Sequence, residues 1–592
     1  MIHLRARSAA PLAVLLALAS ASPSSAQTTT SAAPALEPCT IPGIAEPARC
    51  GTLQVWENRE ARSGRRIGIH FAILPAKGVA HATEAVAYFA GGPGEAATGD
   101  APDVVRELAP VRDTRDLLFM DTRGTGGSNP LPCEISRPGD LQSYLVEFFT
   151  AEGVARCARA LAPRADVRFY DSAPAVDDLE ELRAALGYRT LDLYGTSYGT
   201  RSALVYLRRH PEHVRLVLMH GSVPTDIRYP LTVAPDAQAA IDGVFADCAR
   251  DPGCHAAFPD PAADLRESLR RLDAGPVEAT VVSPLSGEVA TVRLSRERYT
   301  EALRYMTYDA GSAALIPALV HRAARGDFAA AAEQALFWRL GLVSASSRGD
   351  YLAVTCPEDV DFVDTAQAAR LARGTYLGTW RVRDQKAACA AWPHRRLDAS
   401  FVRPVESRVP LLVINGQYDP ATARQHAERL LRGFPNGRLV IIPSAGHGPG
   451  GLVGVAGCYE SILAGFVRTA DARAVDASCM ERVHRLPFPT DLPAGRVMAM
   501  DSAQLARFAG RYTSPGEPAV ELRVMNGRLH EIFPGRDFTL LPIGPMRFRL
   551  LDIPQAILTF RETDGRVGSF QAVFGGSPPE VWTRADASPA SP

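Results

Sequence analysis

The chain has 592 residues, room for three or four domains at ~100–200 residues each. It is 46% hydrophobic and 22% charged, and 64 Lys and Arg nearly balance 65 Asp and Glu, for a formal net charge of -1. That much apolar side chain excludes a disordered chain, and so small a net charge gives no electrostatic reason to expect nucleic acid or an anionic membrane surface as a partner.

The first 26 residues stand apart from any fold. Arg5 and Arg7 make a basic start, Ala9 to Ala21 is a short apolar run, and Ser24-Ser25-Ala26 offers small residues for cleavage before Gln27. This is the layout of a secretory signal peptide, and the run is too short to span a bilayer. A secreted or periplasmic protein with no integral membrane segment is expected, beginning with a disordered stretch over 27–36. Export makes the Cys residues readable: an even count of ten in an oxidising compartment suggests disulfides. Nearest-neighbour pairing of Cys39, Cys50, Cys133, Cys157, Cys248, Cys254, Cys356, Cys389, Cys458 and Cys479 would give five short loops, but sequence leaves the connectivity open. There is no C-x-x-C and no H-E-x-x-H, so no metal site or dithiol redox site is expected.

From about residue 37 a βα alternation begins. Ala85 to Ala90 is an apolar run ending in Gly91-Gly92-Pro93-Gly94, and Leu117 to Met120 another, ending in Asp121-Thr122-Arg123-Gly124-Thr125-Gly126. Val176, Leu179, Leu182 and Leu186 recur at helical spacing before Gly187. Leu191 to Tyr194 then reads as a strand, Tyr198 to His210 as a helix and Val214 to Met219 as a strand. Short buried strands alternating with helices predict a parallel sheet covered on both faces, an α/β fold. The alternation stops near Pro230, gives way to an Ala-rich helical block with one hairpin around Ala279 to Leu294, and resumes with Leu411 to Asn415, Ala421 to Arg432 and Leu439 to Ile442. The expected organisation is a core over 37–229 and 401–485, a helical cap over 230–400 and a linker over 486–500. Beyond the linker, period-two alternation at Val520, Leu522 and Val524 and the turn signals Asn526-Gly527 and Asp564-Gly565 predict a small antiparallel β module over 501–583, then a disordered tail over 584–592.

The chemistry concentrates in Leu193-Tyr194-Gly195-Thr196-Ser197-Tyr198-Gly199. A strand entering G-x-S-x-G and then a helix is a nucleophile elbow, which lifts Ser197 Oγ out at the C-terminal edge of the sheet. A serine hydroxyl needs a base and an orienting acid, and on this architecture the chain order is Ser, acid, His. Asp419 follows the strand Leu411 to Asn415, and His447 follows Leu439 to Ile442, so both fall on the edge that carries Ser197. His210 ends a helix and His220 comes too early for that order. The oxyanion of an acyl intermediate needs N–H donors: Tyr198 N–H at its helix start and Gly92 N–H, with Gly91 next in line. Gly124-Thr125-Gly126-Gly127-Ser128 lacks the Lys of a phosphate loop and reads as a structural turn.

Gly-Gly-Pro-Gly at 91–94, Asp-x-Arg-Gly-Thr-Gly-x-Ser at 121–128 and Gly-x-Ser-Tyr-Gly-Thr at 195–200 resemble the secreted α/β-hydrolase serine peptidases of the prolyl iminopeptidase and tripeptidyl aminopeptidase group. The resemblance runs from about Cys39 to Cys479, with two departures: Thr122 where Gln is usual, and Glu95 where a small residue is common. It implies an α/β-hydrolase fold with an inserted helical cap, no cofactor, and peptide substrates with a free N-terminus. It also implies an acidic anchor for the substrate ammonium in or beside the cap. Glu358, in Thr355-Cys356-Pro357-Glu358, is the leading anchor and Glu95 the second candidate. An esterase or amidase using the same triad is the alternative, and a non-catalytic envelope-binding protein a third.

Overall fold

The computed structural model describes residues 34–585 except 79–82, 134–135, 138, 147–148, 491, 493–496, 534–535 and 552. The expected signal peptide and most of the 27–36 stretch lie outside the described residues, as does the tail beyond 585.

Nine strands form the central sheet: β1 (Glu37–Cys39), β2 (Ala48–Trp56), β3 (Arg66–Leu74), β4 (Glu84–Phe89), β5 (Asp116–Met120), β6 (Thr190–Thr196), β7 (Val214–His220) and, after a cap hairpin of β8 (Val277–Val282) and β9 (Val289–Leu294), β10 (Leu411–Gly416) and β11 (Gly437–Ile442). Their order is β1-β2-β3-β5-β4-β6-β7-β10-β11. The pairs from β5-β4 through to β10-β11 are parallel, so the C-terminal ends of those strands share one edge. Their side chains alternate between two apolar clusters: Leu191, Leu193, Leu411 and Val413 pack on one face, and Tyr194, Leu412 and Ile414 on the other. Burial on both faces explains why the strands read as continuous apolar runs. The helix Ser172–Leu186 begins at Asp171, whose carboxylate accepts from Ala173 N–H, and is stopped by Gly187 at φ 79°.

The insertion between β7 and β10 is helical from Val233–Arg250 to Trp380–Ala391 and carries its own apolar cluster, including Ile241, Leu303, Ile316 and Leu336. No helix among the described residues is long and apolar enough to cross a membrane. The five disulfides join nearest neighbours: Cys39–Cys50, Cys133–Cys157, Cys248–Cys254, Cys356–Cys389 and Cys458–Cys479.

The C-terminal module is a closed barrel of eight antiparallel strands from Gly510–Thr513 to Glu580–Arg584. Period two predicted the strands but not the closure, which comes from pairing Tyr512 and Thr513 with Arg584 and Thr583. Asn526-Gly527 and Asp564-Gly565 have positive φ at both residues, the geometry that matches the twist of a tight hairpin. Phe508, Phe548, Phe560 and Phe570 fill the interior, with Phe548 edge to face against Phe508 and Phe560 and the other two ring pairs tilted. The barrel rests on the cap: Arg549 pairs with Glu333 at 2.8 Å, and Gly576 N–H donates to Gly311 O at 2.8 Å.

Candidate active site

Ser197 sits where β6 turns into the helix Tyr198–Arg209, at φ 52° and ψ -124°. A non-glycine residue holds so strained a backbone only where its surroundings enforce it. They do: a Cβ on Gly199 would lie 2.1 Å from the Phe89 carbonyl oxygen, and one on Gly195 would lie 2.6 Å from that of Gly199. Ser197 N–H donates to His220 O at 2.8 Å, which ties the elbow to β7.

Asp419 and His447 occupy the loops after β10 and β11. These loops touch because Gly416 has no side chain: a Cβ there would meet the Gly446 carbonyl oxygen at 1.7 Å. His447 Nδ1 donates to Asp419 Oδ2 at 2.9 Å. Asp419 also accepts from Thr422 Oγ1 at 2.5 Å and from the backbone N–H groups of Ala421 and Thr422 at 2.8 Å each. Burial alone would raise its pKa, but the His447 charge and the hydrogen bonds from His447 and Thr422 hold it down at about 2. The acid is therefore an anion that orients the imidazole and can stabilise its protonated form.

Behind this pair, His220 Nε2–H donates to His447 O at 2.9 Å, which leaves Nδ1 to accept from Tyr459 Oη at 2.6 Å. Burial lowers the pKa of His220 to about 4, so the ring stays neutral and serves as a strut for the His447 loop. The Tyr308 ring meets the His447 ring edge to face at 4.9 Å. Sequence order alone gave no sign of these supports.

Ser197 and His447 open into one cavity of about 620 Å³, within the range of small-molecule sites. Gly91 and Gly92 line it beside Ser197, and a Cβ on Gly91 would stand 3.4 Å from Ser197 Cβ. Tyr198 begins its helix, so its N–H has no acceptor within that helix. The Gly-Pro-Gly loop is held from the cap, where Ser347 N–H donates to Gly94 O at 2.8 Å and Ser346 Oγ to Pro93 O at 3.1 Å.

The two acidic candidates lie in different places. Glu95 lines the cavity, with Oε2 2.7 Å from where a Cβ on Gly91 would be, and makes no hydrogen bond among the described residues. Burial and the neighbouring Asp100 raise its pKa to about 7, against the pull of His447. Glu358 does not line the cavity: it is 1% exposed and accepts from Ser172 N–H at 2.6 Å. Burial takes its pKa to about 8, with Arg201 opposing. Glu358 ends a helix whose contacts turn it towards Ser172 and the helix Tyr198–Arg209, behind the elbow. Sequence supplied the chemical type of this residue but not the direction of its side chain.

The Asp121–Ser128 motif is structural. Asp121 accepts from Thr98 N–H and Oγ1 and from Gly127 N–H at 2.9 Å each, and buried Arg123 is forked onto Asp178 at 2.7 and 2.8 Å. The cap wall of the cavity (Tyr229, Tyr305, Tyr308, Trp338, Arg348, Tyr351 and Arg381) is scattered over more than 150 positions of the chain and had no contiguous signal.

Residues 88–449 match the family model described as alpha/beta hydrolase fold. The tripeptidyl aminopeptidase of Streptomyces lividans is 26% identical over 476 residues, covering 75% of this chain and 86% of that protein. Serine protease Hip1 of Mycobacterium tuberculosis (strain ATCC 25618 / H37Rv) is 26% identical over 415 residues, covering 63% of this chain and 77% of that protein. Among solved structures, the proline iminopeptidase of Mycobacterium smegmatis is 16% identical with a TM-score of 0.36, covering 72% of this chain and 99% of that one.

Proposed function

The chain belongs to the α/β-hydrolase fold family and is a serine hydrolase, and from that premise we propose that it is an exported aminopeptidase that releases one or a few residues from peptide N-termini. Ser197 Oγ attacks the scissile carbonyl while His447 takes its proton, and Asp419 steadies the resulting imidazolium. The oxyanion is received by Tyr198 N–H and by the Gly91-Gly92 backbone. His447 then protonates the leaving amine, and water repeats the sequence on the acyl-enzyme.

One observation carries the peptidase over the esterase: a carboxylate without a hydrogen-bond partner among the described residues, Glu95, stands in the cavity wall beside Ser197. A substrate ammonium would neutralise it and supply its missing donors. Glu95 therefore replaces Glu358 as the anchor, and Glu358 becomes a buried support. Five disulfides with no free Cys among the described residues favour an oxidising compartment and hence export.

The test is a panel of aminoacyl- and tripeptidyl-anilides, free and N-acetylated, beside nitrophenyl esters. Free-amine peptides should lead by about 10–150-fold in kcat/KM, the range of a charge-assisted hydrogen bond. Hydrolysis of the esters with no preference for a free amine would replace the aminopeptidase with an esterase or amidase.

A further inference from the structure

The cavity is electrically lopsided. Its floor carries the carboxylates of Glu95 and Glu107, whereas its cap wall carries guanidinium groups. Arg381 lines that wall, donates to Tyr351 Oη at 2.7 Å and has no ion pair among the described residues. Arg304, 3% exposed, lies behind two lining tyrosines and donates to Tyr229 Oη at 3.1 Å and to Tyr308 Oη at 2.8 Å. Its Nε has no hydrogen-bond partner among the described residues.

The carboxylate that faces these cations is Glu301, and it is already engaged. It pairs with Arg298 at 2.8 Å and Arg339 at 3.5 Å. Among the described residues, Arg298, Arg304 and Arg381 thus share the field of this one acid. Arg304 and Arg381 are held by phenol hydroxyls, which can satisfy N–H donors but bring no negative charge. Burial raises the pKa of Tyr308 and Tyr351, so these phenols stay neutral. An uncompensated buried cation is costly, and the wall that exposes Arg381 to the cavity leaves room for an anion to compensate it.

We propose that Arg381, backed by Arg304, forms a carboxylate-binding subsite, so that preferred substrates carry a carboxylate as well as the scissile bond. The guanidinium fork suits a planar carboxylate. Two sources fit that chemistry: an acidic side chain, or the free C-terminus of a short peptide spanning the cavity from Glu95 to Arg381. The proposal rests on the cavity being the substrate site but not on the substrate being an amine.

The test uses matched pairs on the full-length enzyme: Asp against Asn peptides, free-acid against amidated C-termini, and nitrophenyl hydrogen succinate against nitrophenyl butyrate. In at least one pair the acid should be favoured by about 10–150-fold in kcat/KM, as charge-assisted hydrogen bonds give. In Arg381→Gln the acid-to-neutral ratio in that pair should fall to near one, and Arg381→Lys should keep part of it. Fluorophosphonate labelling of Ser197 in each variant separates a lost subsite from a lost fold. Neutral members equal to or better than acids in all three pairs would overturn the proposal, as would an unchanged ratio in Arg381→Gln. If the ester pair alone shows the preference, the subsite stands and the aminopeptidase is the part that fails.

Discussion

The floor and the roof of the cavity are built by different means. The floor hangs on backbone constraints at one sheet edge: a serine at positive φ, glycines that could hold no Cβ, and loops that leave adjacent parallel strands. The roof is a set of long side chains on helices of the insertion, held by tyrosine hydroxyls and by the pairing of Glu301 with Arg298 and Arg339. A site whose reacting atoms must be placed to within about half an ångström is best built on rigid elements. A site that selects among ligands can be revised one side chain at a time. The expectation is that floor substitutions lower kcat on every substrate, while roof substitutions change which substrate is preferred.

The largest effect belongs to Ser197→Ala. It removes the proposed nucleophile and little else, so kcat should drop by roughly 10⁴–10⁶ on acid and neutral, free and acetylated substrates alike. Thermal unfolding should stay near wild type. Substantial residual turnover in purified protein would mean that the elbow is not the catalytic element.

Asp419→Asn comes next, at roughly 10⁴ in kcat. Asn can accept from Thr422 and the backbone, but it presents no anion to the imidazolium and can favour the wrong tautomer of His447. A fall confined to one substrate class would break the separation between floor and roof.

The same contrast explains what could be read in advance. The elbow was legible because its constraint is local: five contiguous residues must turn a strand into a helix. Asp419 and His447 were legible because loops after parallel strands fall on one edge, which strand order alone fixes. The hairpin turns at Asn526-Gly527 and Asp564-Gly565 were legible for a similar reason. Barrel closure was not, since it depends on pairing the module's first and last strands, Gly510–Thr513 and Glu580–Arg584. Glu358 shows the limit most sharply: its position on the cap suited an anchor, but one turn of helix decides whether a side chain meets ligand or core. Arg304 and Arg381 lie 77 positions apart, and nothing in the local sequence of either points to the other.

Glu95 belongs to the floor by position but to the roof by role, so it tests the division at its boundary. With its pKa raised to about 7, Glu95 is protonated below that pH and ionised above it. Only the ionised form pairs with an ammonium. The preference for free over acetylated N-termini should therefore grow as pH rises through about 7, then shrink as the substrate amine loses its proton near ~8. In Glu95→Gln the preference should fall by about 10–150-fold at its maximum and become flat with pH. Because the measurement is a ratio, the titration of groups common to both substrates cancels. A wild-type ratio that does not vary with pH would remove Glu95 from amine binding.

The smallest effect should come from the barrel, two steps from the chemistry. The helix Ala329–Ala345 is gripped near its start, where Arg549 pairs with Glu333 at 2.8 Å and Gln334 donates to Gln555 at 3.3 Å. One turn further along Phe337 and Trp338 line the cavity, and two turns along Gly341 and Leu342 do. The barrel thus holds one end of a helix whose next turns form part of the roof. Arg549→Met removes the grip and strands the largely buried Glu333 carboxylate, and pairing it with Glu333→Gln removes that stranded charge. Substitutions that act through a packed element shift coupling by roughly 0.5–2 kcal/mol, so KM should rise roughly 2–30-fold in Arg549→Met. The double variant should recover part of the loss, and kcat should hold, since Ser197, Asp419 and His447 stand at the edge of the sheet, on the turns and loops that follow its strands. An equal loss in kcat would show that the roof positions the reacting groups after all. Unchanged KM and unchanged acid-to-neutral selectivity would show that the barrel does not set this wall.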